Sequence, residues 1–130
     1  MKTQSPLLEF ESTSFAVADG EDDEANPGIY GRALACWIAA QLKVPEDQVI
    51  AEDFGWCVPA ESSPHLLYIA CSSEDDSKSK WRIFVFAEGG LMARLLGRDR
   101  RAEEMAGLFS KVRSVLVAHP GISGITQDQT

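Results

Sequence analysis

Apolar residues return along this chain in two periods, every second position in some stretches and every third or fourth in others, and the switch between them outlines the elements. Leu7 to Val17 alternates imperfectly, with Leu8, Phe10 and Ala16 in phase, and predicts a first strand. Ala18 to Ala25 holds Asp19, Glu21, Asp22, Asp23 and Glu24 around Gly20 and reads as a solvated loop. Asn26-Pro27 then reads as a helix start, with Asn26 as N-cap and Pro27 in the first helical position. Tyr30, Leu34, Trp37, Ile38, Gln41 and Leu42 share one face at helical spacing, which predicts a helix from 27 to about 43, stopped by Pro45. Glu52 to Val58 is the next strand candidate, closed by Pro59 and the turn Ser62-Ser63-Pro64. Leu66 to Cys71 is an apolar run with the character of a central strand, and after a polar turn Lys80 to Ala87 resumes with aromatic and β-branched residues. Gly89-Gly90 breaks that strand, and Leu91 to Arg101 reads as either a short helix or an ordered loop. A second long helix covers about Arg101 to Ala118, with Met105, Leu108, Phe109, Val112, Val115 and Leu116 at core-facing spacing. His119-Pro120-Gly121 ends it, and Ile122 to Thr126 offers a short terminal strand.

The resulting order is β-α-β-β-β-α, with room for a last β. The expected fold class is α+β: a two-layer sandwich in which an antiparallel sheet of four to five strands is packed by two helices. At 130 residues the chain fits a single domain, 1–130, with 1–5 and 127–130 expected to fray. No apolar run approaches the roughly 20 residues that span a bilayer. Met1 to Pro6 is polar and followed by acids, unlike a signal peptide. Three scattered cysteines, an odd number, speak against a disulfide framework. A hairpin turning near Ser62 would set Cys57 opposite about Leu66 and leave Cys71 beyond it, so these thiols read as small buried apolar groups. The expected location is cytoplasmic.

Charge changes the picture. The net charge is −8, but residues 1–76 carry 15 acids against Lys2, Arg32 and Lys43, whereas residues 77–130 carry nine Lys or Arg against five acids. The acidic half would repel a phosphate backbone, which disfavours nucleic acid and favours a protein partner with a basic surface. Asp22, Asp23 and Glu24 of the first loop, with Glu74, Asp75 and Asp76 of a later turn, form the acidic patch that such a partner would meet. Homo-oligomerisation stays open, and a membrane partner is not expected.

Candidate chemistry is sparse. In Glu52-Asp53-Phe54-Gly55-Trp56, read as one strand, adjacent carboxylates point to opposite faces and cannot act as an acid–base pair on one substrate. Glu52 would share a face with Phe54 and Trp56, and Gly55 marks a bulge or a close backbone approach. The segment is either core beneath a helix or the lip of a pocket with Trp56 as platform and Glu52 or Asp53 as polar contact. Arg94, Arg98, Arg100 and Arg101 gather at the start of the second helix, where anions are favoured, although Glu103 and Glu104 compete for them. Trp81 opens its strand as core, sheet edge or interface anchor. His65 and His119 have no partner at metal-ligand spacing, and the cysteines sit in apolar elements, so no catalytic residue, metal or cofactor is assigned.

The Glu52–Trp56 segment, followed by Pro120-Gly121-Ile122 after the last helix, resembles a group of small uncharacterised bacterial proteins. They carry Glu-Asp-aromatic-Gly-Trp after a first helix and Pro-Gly-Ile after the last. The resemblance follows element order over most of the chain and implies the fold without a mechanism. The expected function is a non-catalytic protein-binding module, with an immunity or antidote protein as its specific form. The alternatives are a small-ligand domain with a pocket near Trp56, a secretion-chaperone-like dimer, and an enzyme of unrecognised class.

Overall fold

A computed structural model describes residues 5–61, 66–74, 77–88 and 101–128, the side chains of 61, 66, 88, 101 and 102 excepted. The strands are β1 (Leu7–Glu11), β2 (Ile50–Glu52), β3 (Gly55–Glu61), β4 (Leu66–Ser73), β5 (Lys80–Glu88) and β6 (Ser123–Asp128). The helices are α1 (Arg32–Gln41) and α2 (Arg101–Ala118). The strands form one antiparallel sheet in the order β2-β3-β4-β5-β1-β6. The α+β class is as expected, but the sheet departs from the expectation at two points, and among the described residues it has six strands rather than four or five.

First, residues 52–58 are not one strand. Glu52 pairs with Gly55 and Ala51 with Trp56, so the chain reverses at Asp53-Phe54. Gly55, at φ 144°, makes the reversal possible, and a Cβ there would collide with the Cys71 carbonyl oxygen of β4. Second, the terminal strand runs on through Gln127 and Asp128. Gln127 and Asp128 face Leu8 and Leu7 across the β1–β6 pair. Ser5 is also fixed, its N–H donating to the Val85 carbonyl at 2.7 Å and its Oγ accepting from the Val85 N–H at 2.8 Å.

One sheet face is the core. Leu8 and Phe10 of β1, Trp81, Ile83 and Val85 of β5, Leu67, Ile69 and Cys71 of β4, and Trp56 and Val58 of β3 are buried there. Helix α1 packs on β3 and β4, and α2 packs on β5 and touches α1, so the two helices cover this face together. The first strand stops at Glu11, and Phe15 rather than Ala16 re-enters the core, against Trp37, Trp81 and His119. Cys57 lies opposite Ala70, not Leu66, and Cys71 opposite Trp56, which puts the two thiols on opposite faces of the sheet.

The first helix is shorter than its apolar periodicity predicts. Gly28 and Gly31 take φ of 84° and 145°, which no helix tolerates, so α1 begins only at Arg32. Its C-terminus closes with Val44 N–H donating to Ala39 O and Lys43 N–H to Ala40 O, the paired bonds of a Schellman cap.

Candidate functional site

The acidic segments converge at the N-terminal end of α1. Residues Glu21–Asp23 form a single 3-10 turn, and Glu21 is only 5% exposed. Its Oε2 accepts from the N–H groups of Gly31 (2.8 Å) and Arg32 (3.0 Å), and its Oε1 from Ala18 N–H (3.1 Å). A carboxylate seated on the opening N–H groups of a helix satisfies orphan donors and the positive end of the dipole together. Asp22 accepts from Gly28 N–H at 2.8 Å. Glu21 and Asp22 therefore shape the loop, and Asp19, Asp23 and Glu24 are the acids it shows to solvent.

Asn26 does not cap the helix. Its Nδ2 donates to the Asp53 carbonyl at 2.7 Å, which ties the acidic loop to the β2–β3 turn. Tyr30 N–H donates to Ser73 Oγ at 2.9 Å and Ser73 N–H to Tyr30 O at 2.8 Å, which ties the same loop to the end of β4 beside Glu74. Asp23, Glu24, Glu52, Asp53 and half-buried Glu74 thus meet at one end of the molecule. Asp75 and Asp76 lie outside the described residues. Cations enter the same end: Lys78 sits 5.7 Å from the Tyr30 ring centre, and Arg82 Nη2 donates to Ser73 O at 3.3 Å. Among the described residues, Arg82 Nε is buried without a hydrogen-bond partner.

An apolar surface adjoins these acids. Phe54, 41% exposed at the hairpin tip, turns onto the sheet face opposite the helices. Its ring lies 6.3 Å from Phe84 and 6.1 Å from Phe86, and Phe86 stacks on Tyr68 at 5.2 Å. Ile50, 47% exposed, closes the row Phe84–Ala70–Cys57–Ile50 across β5, β4, β3 and β2. The signal for this surface was present in the chain. Tyr68, Ala70, Phe84 and Phe86 occupy the alternate phase of their strands, the one a half-solvated sheet reserves for polar residues.

The remaining candidate residues separate. Trp56 is 2% exposed in the core, on the face opposite Glu52, so the two do not line one pocket lip. Trp81 is 1% exposed and its Nε1–H donates to Ser12 O at 3.0 Å, which makes it core rather than interface. Arg101 opens α2 without a described side chain, and Arg94, Arg98, Arg100 and His65 lie outside the described residues. His119 packs edge-on to Trp37 at 5.0 Å, and its Nδ1 accepts from Gly121 N–H at 2.8 Å, a structural use of the ring.

Two of the thiols are pushed above their ordinary value. Burial, then a hydrogen bond and repulsion from the Glu46 carboxylate, push the Cys36 thiol above its ordinary value. Complete burial raises Cys71 further. Among the described residues, no three His, Cys, Asp or Glu side chains come together where a metal ion could sit. No helix of the described residues is long and apolar enough to cross a membrane.

Fold and surface together define a small α+β domain with an acidic end that borders an aromatic sheet face. No family model matches the chain, and neither the curated proteins nor the solved structures include a match.

Proposed function

We propose that this protein is a non-catalytic, cytoplasmic binding module that docks a basic protein partner on its acidic end and the adjoining aromatic face. The observation that carries this reading is the junction at Asp53-Phe54. There the exposed carboxylates of Glu52 and Asp53 adjoin Phe54, whose ring meets Phe84 and Phe86, and Asn26 ties the loop of Asp23 and Glu24 to the same turn. Aromatic anchors that exclude water, ringed by charges that steer encounter, are what a protein interface uses for affinity and for rate respectively. An immunity or antidote protein, which caps a basic toxin, is the specific form that suits this chemistry.

The test is affinity capture from the native host at about 0.05 and 0.5 M salt, with bound proteins identified by mass spectrometry. The expected result is one stoichiometric basic partner, lost at high salt and in a Phe54→Ala, Asp53→Asn variant that keeps the wild-type Tm. A partner whose capture ignores both salt and the variant would refute the reading, as would none at either salt.

A further inference from the structure

A second surface lies at the other end of α1. Two open cavities of about 310 and 330 Å³ lie along α2 there. They share Leu108 and Lys111, so they form one trough along α2, from Glu104 to Val115. Leu42, Ala60, Leu67, Leu108 and Val115 give it an apolar floor, and Lys43 and Lys111 stand exposed on its rim. The trough spans about 16 Å, or three helical turns.

Two residues on this trough are poor choices for the fold alone. Lys43 has φ 61°, the one described non-glycine residue in the left-handed region. It occupies the position of a Schellman cap that glycine fills most readily. Gly107 is the reverse case. It sits inside α2, where glycine is the least favourable residue after proline, and a Cβ added there meets nothing within 4 Å. Among the described residues no contact requires Gly107 to be small, and the cap does not require Lys43 to be charged. A partner whose backbone passes close over Gly107 and whose carboxylates meet Lys43 and Lys111 requires both.

We propose that this trough docks an amphipathic helix of a partner protein, three turns or more in length, with carboxylates at the end that lies over Lys43 and Lys111. The occupant is a peptide rather than a small molecule because the cavities are open along their length, whereas small ligands are held by enclosure of most of their surface. Its acidic character follows from charge complementarity, in a chain whose net charge of −8 would otherwise repel it. The site is separate from the acidic end and does not depend on it.

The experiment selects random 16-residue peptides displayed on phage against the folded protein and measures the enriched peptides by fluorescence anisotropy. Enriched sequences are expected to place apolar residues at i, i+3 or i+4 and i+7, with Asp or Glu clustered at one end. Binding is expected to fall at least tenfold in Gly107→Leu, whose Tm should not fall, and in the Lys43→Glu, Lys111→Glu pair at a wild-type Tm. Lys43→Gly is expected to raise Tm by about 3 °C while weakening the same peptides, which a purely structural lysine would not do. Failure to enrich, enrichment without acids, or binding indifferent to these substitutions overturns the proposal.

Discussion

At the scale of single residues, Glu21 shows how a charge can be buried at little cost. Its two oxygens take three N–H groups, two of them from the opening of α1. Glu21→Ala would leave those donors without an acceptor, a loss of about 1–3 kcal/mol. We expect urea denaturation to show that loss, and Glu21→Gln, which keeps one acceptor oxygen, to lose less. The cysteines give a second expectation. Cys71 is fully buried and its folded-state pKa is raised above the ordinary 9.0. Its contribution to stability is therefore complete below pH 9.0 and lost as the pH climbs above it, at up to about 1.4 kcal/mol per pH unit. Cys71→Ala should flatten the fall of Tm between pH 9 and 11 relative to wild type, and an unchanged slope would show that other groups govern it. The sequence marked Cys57 and Cys71 as buried, because each lies in an apolar run. It did not mark Glu21, because one acid among five neighbours carries no local sign that its side chain will turn inward to a helix beginning eleven residues later.

At the scale of elements, the β2–β3 hairpin is held by a single glycine. Gly55 combines φ of 144° with direct approach to the Cys71 carbonyl. The strained backbone alone makes Gly55→Ala cost about 1–3 kcal/mol, to which the overlap adds. Hydrogen exchange should report the loss as faster amide exchange across Ile50–Trp56 with β5 still protected. Uniform loosening of the sheet would instead mean that the hairpin is no separate unit. The same glycine explains why the pattern was legible only in part. Glu52-Asp53-Phe54-Gly55-Trp56 alternates well enough for one strand with a kink, and local period cannot distinguish a kink from a reversal with a two-residue turn. The long α2 and strands β4 and β5 were legible because their periodicity is uninterrupted and their ends carry Gly or Pro. Helix α1 was legible in its apolar face but not in its start. The positive φ of Gly28 and Gly31 sets that start, and the side chain of Asn26 goes to the Asp53 carbonyl, a tertiary bond that no local preference encodes.

Over the whole molecule, charge is sorted along α1. Exposed acids gather beyond its first residue, whereas Lys43 and Lys111 stand past its last, beside exposed Glu46 and Asp47. The ten residues between separate the two regions by about 15 Å. Such sorting agrees with the helix dipole, but clustered acids repel one another, and the repulsion reaches across the acidic end at low salt. The screening length is about 30 Å at 0.01 M salt and about 8 Å at 0.15 M. Raising sodium chloride between those limits should therefore raise Tm, and Asp23→Asn with Glu24→Gln should raise Tm at 0.01 M and remove much of its salt dependence. If Tm is flat or falls, then Arg32, Lys78 and Lys80 already neutralise that end. Capture of a basic partner must respond in the opposite direction, weakening as salt rises, because there the same carboxylates attract. Stability that improves with salt while binding declines would mark these acids as kept for a partner at the expense of the fold, and parallel responses would assign them to the fold alone.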